Sequence, residues 1–322
     1  MVTPLRLVSD KPPLRSLLII ILVVVLGFGV VGQLLGVLVA DGMYDGDLVQ
    51  DLQNYSLKAG GLEAILAMQG IVTFIGLILF PILHITQVEH KSLKPFFPPQ
   101  RKIGNLIIIV AIIGMSFPIA ISPLTEWNMN LKFPEFLKEF EEWAVQQEET
   151  LARLTEQVTD FKSFSHMLAG IFVIGLLPAI GEELVFRGMI QRELWRATLK
   201  IHLSIWLTAA IFSAIHFQFF GFIPRLLLGA LFGYLYYWSG NLLIPILSHF
   251  FNNSLIVVML YLNKEDITTI DIESGEALPI QFVIGGAILT GGLLYYIWKH
   301  YTEFYPPEER LDNSFPNNNP LA

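Results

Sequence analysis

The chain has 322 residues, a net charge of −8, 53% hydrophobic residues and 15% charged ones. That balance excludes a pair of ordinary soluble domains and fits one polytopic membrane domain whose core is the helix bundle itself. Without cysteine there are no disulfides, no thiol nucleophile and no thiolate metal ligands, and the lack of a basic patch excludes nucleic acid as a partner.

A helix that crosses a bilayer needs about 20 mainly apolar residues. That measure predicts an all-α bundle with eight spans, at 17–40, 64–86, 103–124, 164–183, 203–220, 223–239, 242–262 and 278–298. The first follows Arg6, Lys11 and Arg15 and is 24 residues long. That exceeds the apolar region of a signal peptide, so it reads as a retained signal-anchor. Thirteen of the twenty Lys and Arg residues fall in the N-terminus and the alternate loops that would share its side. The other seven lie in acid-rich loops, which predicts a cytoplasmic N-terminus and C-terminus.

Between the third and fourth spans, segment 125–163 carries Phe136, Phe140, Trp143, Leu151 and Leu154 at helical spacing, with glutamates between them. This predicts an amphipathic helix that lies on the outer membrane surface or caps the bundle; a substrate lid is the sharper reading. In the sixth span, Tyr234, Tyr236, Tyr237 and Trp238 read as an interfacial aromatic belt. The chain thus divides into 1–163 (three spans and the acidic outer loop), 164–262 (the chemistry-bearing core) and 263–322 (the last span and a cytoplasmic tail). The tail after Tyr305, with Pro306, Pro307 and Asn317–Asn319, reads as disordered.

The fourth span ends in GEELVFR, Gly181 to Arg187. A charge on a membrane helix costs about 2.5–3.5 kcal/mol on insertion scales, a cost that a purely structural helix has little reason to carry. Glu183 and Arg187 stand four apart and can neutralise each other. Glu182, rotated by about 100° from its neighbour, is then the carboxylate left to act. Pro178 and Gly181 precede it, and a broken helix there would admit water. The fifth span carries Phe212 and His216, and the seventh carries His249 with Asn253, Asn252 being within reach of the same face. A carboxylate and an imidazole can deprotonate water. A second imidazole and an amide can stabilise the oxyanion of a tetrahedral intermediate. Taken singly, each of these residues can instead be a helix–helix hydrogen bonder. His84, His90, His166, His202 and His300 fall near span ends and read as interfacial or solvated.

These motifs, Glu182-Glu183-x-x-x-Arg187, Phe212-x-x-x-His216 and His249-x-x-x-Asn253, together with the Phe186–Gly188 FRG, resemble those of the CPBP family. These are the CAAX-protease and bacteriocin-processing membrane proteins, also called Abi. The resemblance covers 164–262. It implies an intramembrane endopeptidase in a multi-pass inner (plasma) membrane location, acting on a peptide or membrane-protein substrate within the lipid bilayer. In that family, Glu182 and His216 would activate water, His249 and Asn253 would bind the oxyanion, and Arg187 would hold Glu183 and the helix end. No cofactor is required by that scheme, although Glu182, His216 and His249 can be written as ligands of a divalent metal such as zinc with an open fourth position. Two other functions fit the residues: a non-catalytic scaffold or bacteriocin-immunity protein, and a proton-coupled transporter, which uses the same residue types as relays.

Overall fold

A computed structural model describes residues 11–98, 103–268 and 275–304. Every regular element among them is helical. In chain order they are α1 (Pro13–Met43), α2 (Leu48–Gln53), α3 (Gly61–Val88), α4 (Ile103–Ala120), α5 (Ser122–Met129), α6 (Lys138–Val158), α7 (Phe164–Thr198), α8 (Ile201–Ala214), α9 (Phe222–Ser239), α10 (Leu243–Lys264) and α11 (Ile280–Phe304). The tail after Tyr305 lies outside the described residues.

All eight expected spans are helical, but not all are long and apolar enough to cross a membrane. Five are, namely α1, α3, α7, α10 and α11, and α4 with α5 makes a sixth if the 44° bend between them is one broken span. The fifth expected span is only the 14-residue α8, about 21 Å long against a hydrocarbon core of about 30 Å. The sixth, α9, carries Arg225 and an aromatic C-terminal half, which lower its apolarity. The chain is therefore a multi-pass membrane protein with five or six complete spans among the described residues.

Helix α7 is central: it touches α1, α3, α8, α9 and α10. Its residues Leu184, Val185, Phe186, Met189 and Ile190 form a core with Ile20 of α1, Leu77 and Ile85 of α3, and Phe212 of α8. A second core joins α4, α9, α10 and α11 through Val110, Ile113, Phe232, Leu235, Ile244 and Ile297. Helix α4 can lie this close to α10 because Gly114 has no side chain; a Cβ there would sit 2.2 Å from the carbonyl oxygen of Ser248, the residue before His249. By contrast α1 and α11 leave Leu18, Leu34, Leu38 and Ile288 exposed, the surface expected of helices facing lipid.

The amphipathic helix exists as α6, and it packs against the bundle. Its inward face carries Phe140, Ala144, Glu148, Leu151 and Leu154, and Phe140 meets Phe219 edge-on at 5.0 Å. Phe136 and Trp143 were expected on that face but are exposed. Phe136 falls in a 3₁₀ turn, Glu135–Leu137, ahead of the helix and out of its register, while Trp143 is displaced by about 100° from the buried Ala144. His84, expected to be interfacial or solvated, is buried on α3 with Nε2 3.8 Å from Glu89.

Candidate active site

Helix α7 starts where Ser163 caps it, the hydroxyl accepting from the N–H of His166 at 3.2 Å. It then runs unbroken for 35 residues. The two glutamates therefore stand in mid-helix, and the expected helix end beside them is absent. Pro178 does not break the chain because π-type turns over Ile171–Leu176 lead into it, and a second π-type stretch, Leu184–Ile190, follows the glutamates. Such wide turns recur at functional sites. At Gly181 a Cβ would fall 2.5 Å from Leu77 Cβ, so only glycine lets α3 and α7 meet one residue before the pair.

Glu183 has no solvent exposure, and its Oε1 accepts from Arg187 Nη1 at 2.8 Å and from His249 Nδ1 at 2.9 Å. Arg187, equally buried, donates from Nη2 to the carbonyl of Gly229 on α9 at 2.6 Å. Its guanidinium lies over the rings of Phe212 at 4.9 Å and Phe232 at 5.4 Å, contacts that favour a cation on a π face. His249 stacks on Phe232 with centroids 4.7 Å apart. The expected Glu183–Arg187 pair is present. What the spacing did not show is that Glu183 holds His249 as well, tying α7, α9 and α10 at one point.

Glu182 projects to a different side, and its side chain keeps 16% exposure. Its Oε2 lies 3.9 Å from His249 Nε2, the nitrogen left when Nδ1 is held by Glu183. His216 follows the end of α8. Its Nδ1 lies 2.7 Å from the carbonyl of Phe212; a carbonyl only accepts, so Nδ1 carries the proton and Nε2 presents a lone pair. The Phe212 ring gathers both imidazoles, His216 at 5.1 Å and His249 at 6.1 Å between centroids. Glu182 thus neighbours His249, and the Phe212 ring joins His249 to His216.

The amides are placed less simply. Pro178 has no N–H to offer the carbonyl of Ile174, four residues earlier. Asn253 donates to that carbonyl at 3.3 Å, and its own Oδ1 accepts from the buried Asn252 at 3.0 Å. Asn253 therefore has a structural duty whatever else it does. We expect Asn253→Ala to cost about 1–3 kcal/mol, the penalty of an orphaned buried acceptor. In a Pro178→Ala background, where residue 178 supplies an N–H, the cost should shrink, and thermal unfolding of wild type, the two single variants and the double variant checks this. An undiminished cost would refute the assignment.

The metal alternative does not fit. Among the described residues no three His, Asp or Glu side chains are arranged to hold a metal ion, Glu182, His216 and His249 included.

Three polar residues beside the site escaped the sequence reading. Arg225, in the first turns of α9, donates from Nη2 to Gln218 Oε1 at 2.6 Å, and Gln218 Nε2 donates to Glu148 Oε1 of α6 at 3.3 Å. Burial pushes the Glu148 carboxyl above its usual range, with the Arg225 charge opposing that rise.

Residues 164–255 match the family described as type II CAAX prenyl endopeptidase Rce1-like. An uncharacterized protein of Bacillus subtilis (strain 168), YpbD, is 34% identical over 84 residues, covering 25% of this chain and 40% of that one. The membrane-embedded CAAX protease MroQ of Staphylococcus aureus (strain USA300) is 31% identical over 100 residues, 30% of this chain and 40% of that protein. The likeness thus spans well under half the length of either relative. No solved structure matches the chain significantly. The family match takes in all three motifs, from Glu182 to Asn253, so that residues 164–255 are similar to CAAX-protease-like membrane proteins.

Proposed function

We propose that this chain is an intramembrane endopeptidase of the inner (plasma) membrane. It hydrolyses a peptide bond of a hydrophobic, lipidated or otherwise membrane-associated polypeptide. The observation that carries the reading is the division of labour between adjacent glutamates. Glu183 is consumed by Arg187 and His249, while Glu182, which neither of those contacts engages, stands beside His249 Nε2.

In this reading Glu182 takes a proton from a water held between it and the unpartnered Nε2 of His216, and the water oxygen attacks the scissile carbonyl. Oxyanion stabilisation then falls to His249 in its doubly protonated form, which gives Nδ1–H to Glu183 and leaves Nε2–H for the oxyanion, and to an amide of the Asn252–Asn253 pair, Asn253 having a second N–H beyond the one given to Ile174. Collapse of the tetrahedral intermediate passes the proton held by Glu182 to the leaving amine. The phenylalanine walls formed by Phe212 and Phe232 lower the local polarity, which strengthens each of these interactions.

The test is hydrolysis itself. Purified protein in lipid nanodiscs is incubated with membrane-anchored peptides in water enriched in ¹⁸O. One ¹⁸O in the new C-terminal carboxylate, found by mass spectrometry with wild type and missing with Glu182→Gln, is the expected result. Fragments that form equally with Glu182→Gln, or none at all, would remove the reading.

A further inference from the structure

We propose that Arg225 is the substrate-selecting cation of this site, binding a carboxylate of the polypeptide near the scissile bond. The proposal rests on the endopeptidase reading. Arg225 stands one turn before Gly229, whose carbonyl anchors Arg187, and so shares a face of α9 with the buried centre. It lies within electrostatic reach of Glu182 and His216.

One edge of the guanidinium is fixed and the other is free. Nη2 is committed to Gln218, which is steadied in turn by Glu148. Nη1 is buried and has no hydrogen-bond partner. Among the described residues no carboxylate lies within 4.0 Å of Arg225, so it has no direct counterion. Gly221 keeps the approach open, because a Cβ there would stand 3.2 Å from Nη2 and 3.4 Å from Nη1.

A buried cation with an unsatisfied N–H is costly unless an anion completes it. Guanidinium matches a carboxylate better than it matches any neutral group. A membrane-associated polypeptide has two sources of that group: its free C-terminus, and an Asp or Glu side chain close to the cleaved bond. The second is rare in hydrophobic segments because of its insertion cost. Both present the same chemistry to Arg225, with the scissile carbonyl reaching Glu182 a short distance away.

The experiment uses an N-acylated, membrane-anchored peptide prepared as C-terminal acid, as C-terminal amide, and with each internal acidic residue changed to its amide. Cleavage and binding, the latter by fluorescence in nanodiscs, are measured for wild type, Arg225→Gln and Arg225→Lys. Wild type should prefer one carboxylate-bearing form by about ten- to a hundred-fold, the worth of a hydrogen bond to a charged group. The preference should lie mainly in KM. Arg225→Gln should abolish it and Arg225→Lys should retain part of it. A wild type indifferent to every acid-to-amide change, or an Arg225→Gln loss equal for all forms, would overturn the proposal while leaving the endopeptidase reading intact. Binding that depends on Arg225 without any cleavage would overturn the endopeptidase reading and keep the carboxylate site.

Discussion

Glu182→Gln should lower kcat by about 10²–10⁴-fold, the usual worth of a positioned general base, with KM little changed. The substitution keeps size and hydrogen-bonding shape but removes the carboxylate assigned to take the proton from water. It also leaves the buried Glu183–Arg187–His249 cluster untouched, because Glu182 approaches His249 only at 3.9 Å and makes no part of the 2.8 and 2.9 Å contacts to Glu183. An unchanged unfolding temperature must therefore accompany the lost activity. Should Glu182→Gln retain wild-type turnover, the base lies elsewhere and the division of labour between the two glutamates has no catalytic meaning.

The parts of this molecule legible in the sequence are those governed by local rules. Length of apolar run located all eight helical segments, and the i,i+4 spacing gave the Glu183–Arg187 pair before any geometry was known. Of the residues in the three motifs, Glu183, Arg187, Phe212 and His249 meet directly in space. Less legible was anything requiring three-dimensional accounting. Helix α7 continues through Pro178 to Thr198 because widened turns and a side chain from α10 accommodate the proline, and no pattern within α7 announces a donor 79 residues away. Arg225 looked like one loop charge among several; only its free Nη1 and its distance from any carboxylate single it out. Of the five apolar residues expected on the inward face of α6, Phe140, Leu151 and Leu154 lie there, while Phe136 and Trp143 do not. The most informative member of that face was Glu148, which apolar periodicity passes over. The resemblance to a known family found the motifs but not the route by which Glu183 reaches His249.

That route carries the largest stability effect. Glu183→Ala should destabilise the fold by about 3–5 kcal/mol, the cost of removing one partner of a buried pair and stranding the other. Arg187 has no exposure, and after the change its only remaining strong partner among the described residues would be the carbonyl of Gly229. Arg187→Met should cost a similar amount for the mirror reason, since Glu183 would be left with His249 alone. The double variant Glu183→Leu/Arg187→Met should recover much of the loss, because an apolar pair of similar volume removes both charges from the interior. Activity should not follow stability. With Glu183 gone, His249 Nδ1 loses the acceptor that orients its ring, so the double variant is expected to unfold near the wild-type temperature yet turn over at least about 10²-fold more slowly. Thermal unfolding and cleavage rates on the same four proteins separate the two roles. Single-variant costs below about 1 kcal/mol would mean that water reaches the pair, and restored activity in the double variant would mean that His249 needs no such anchor.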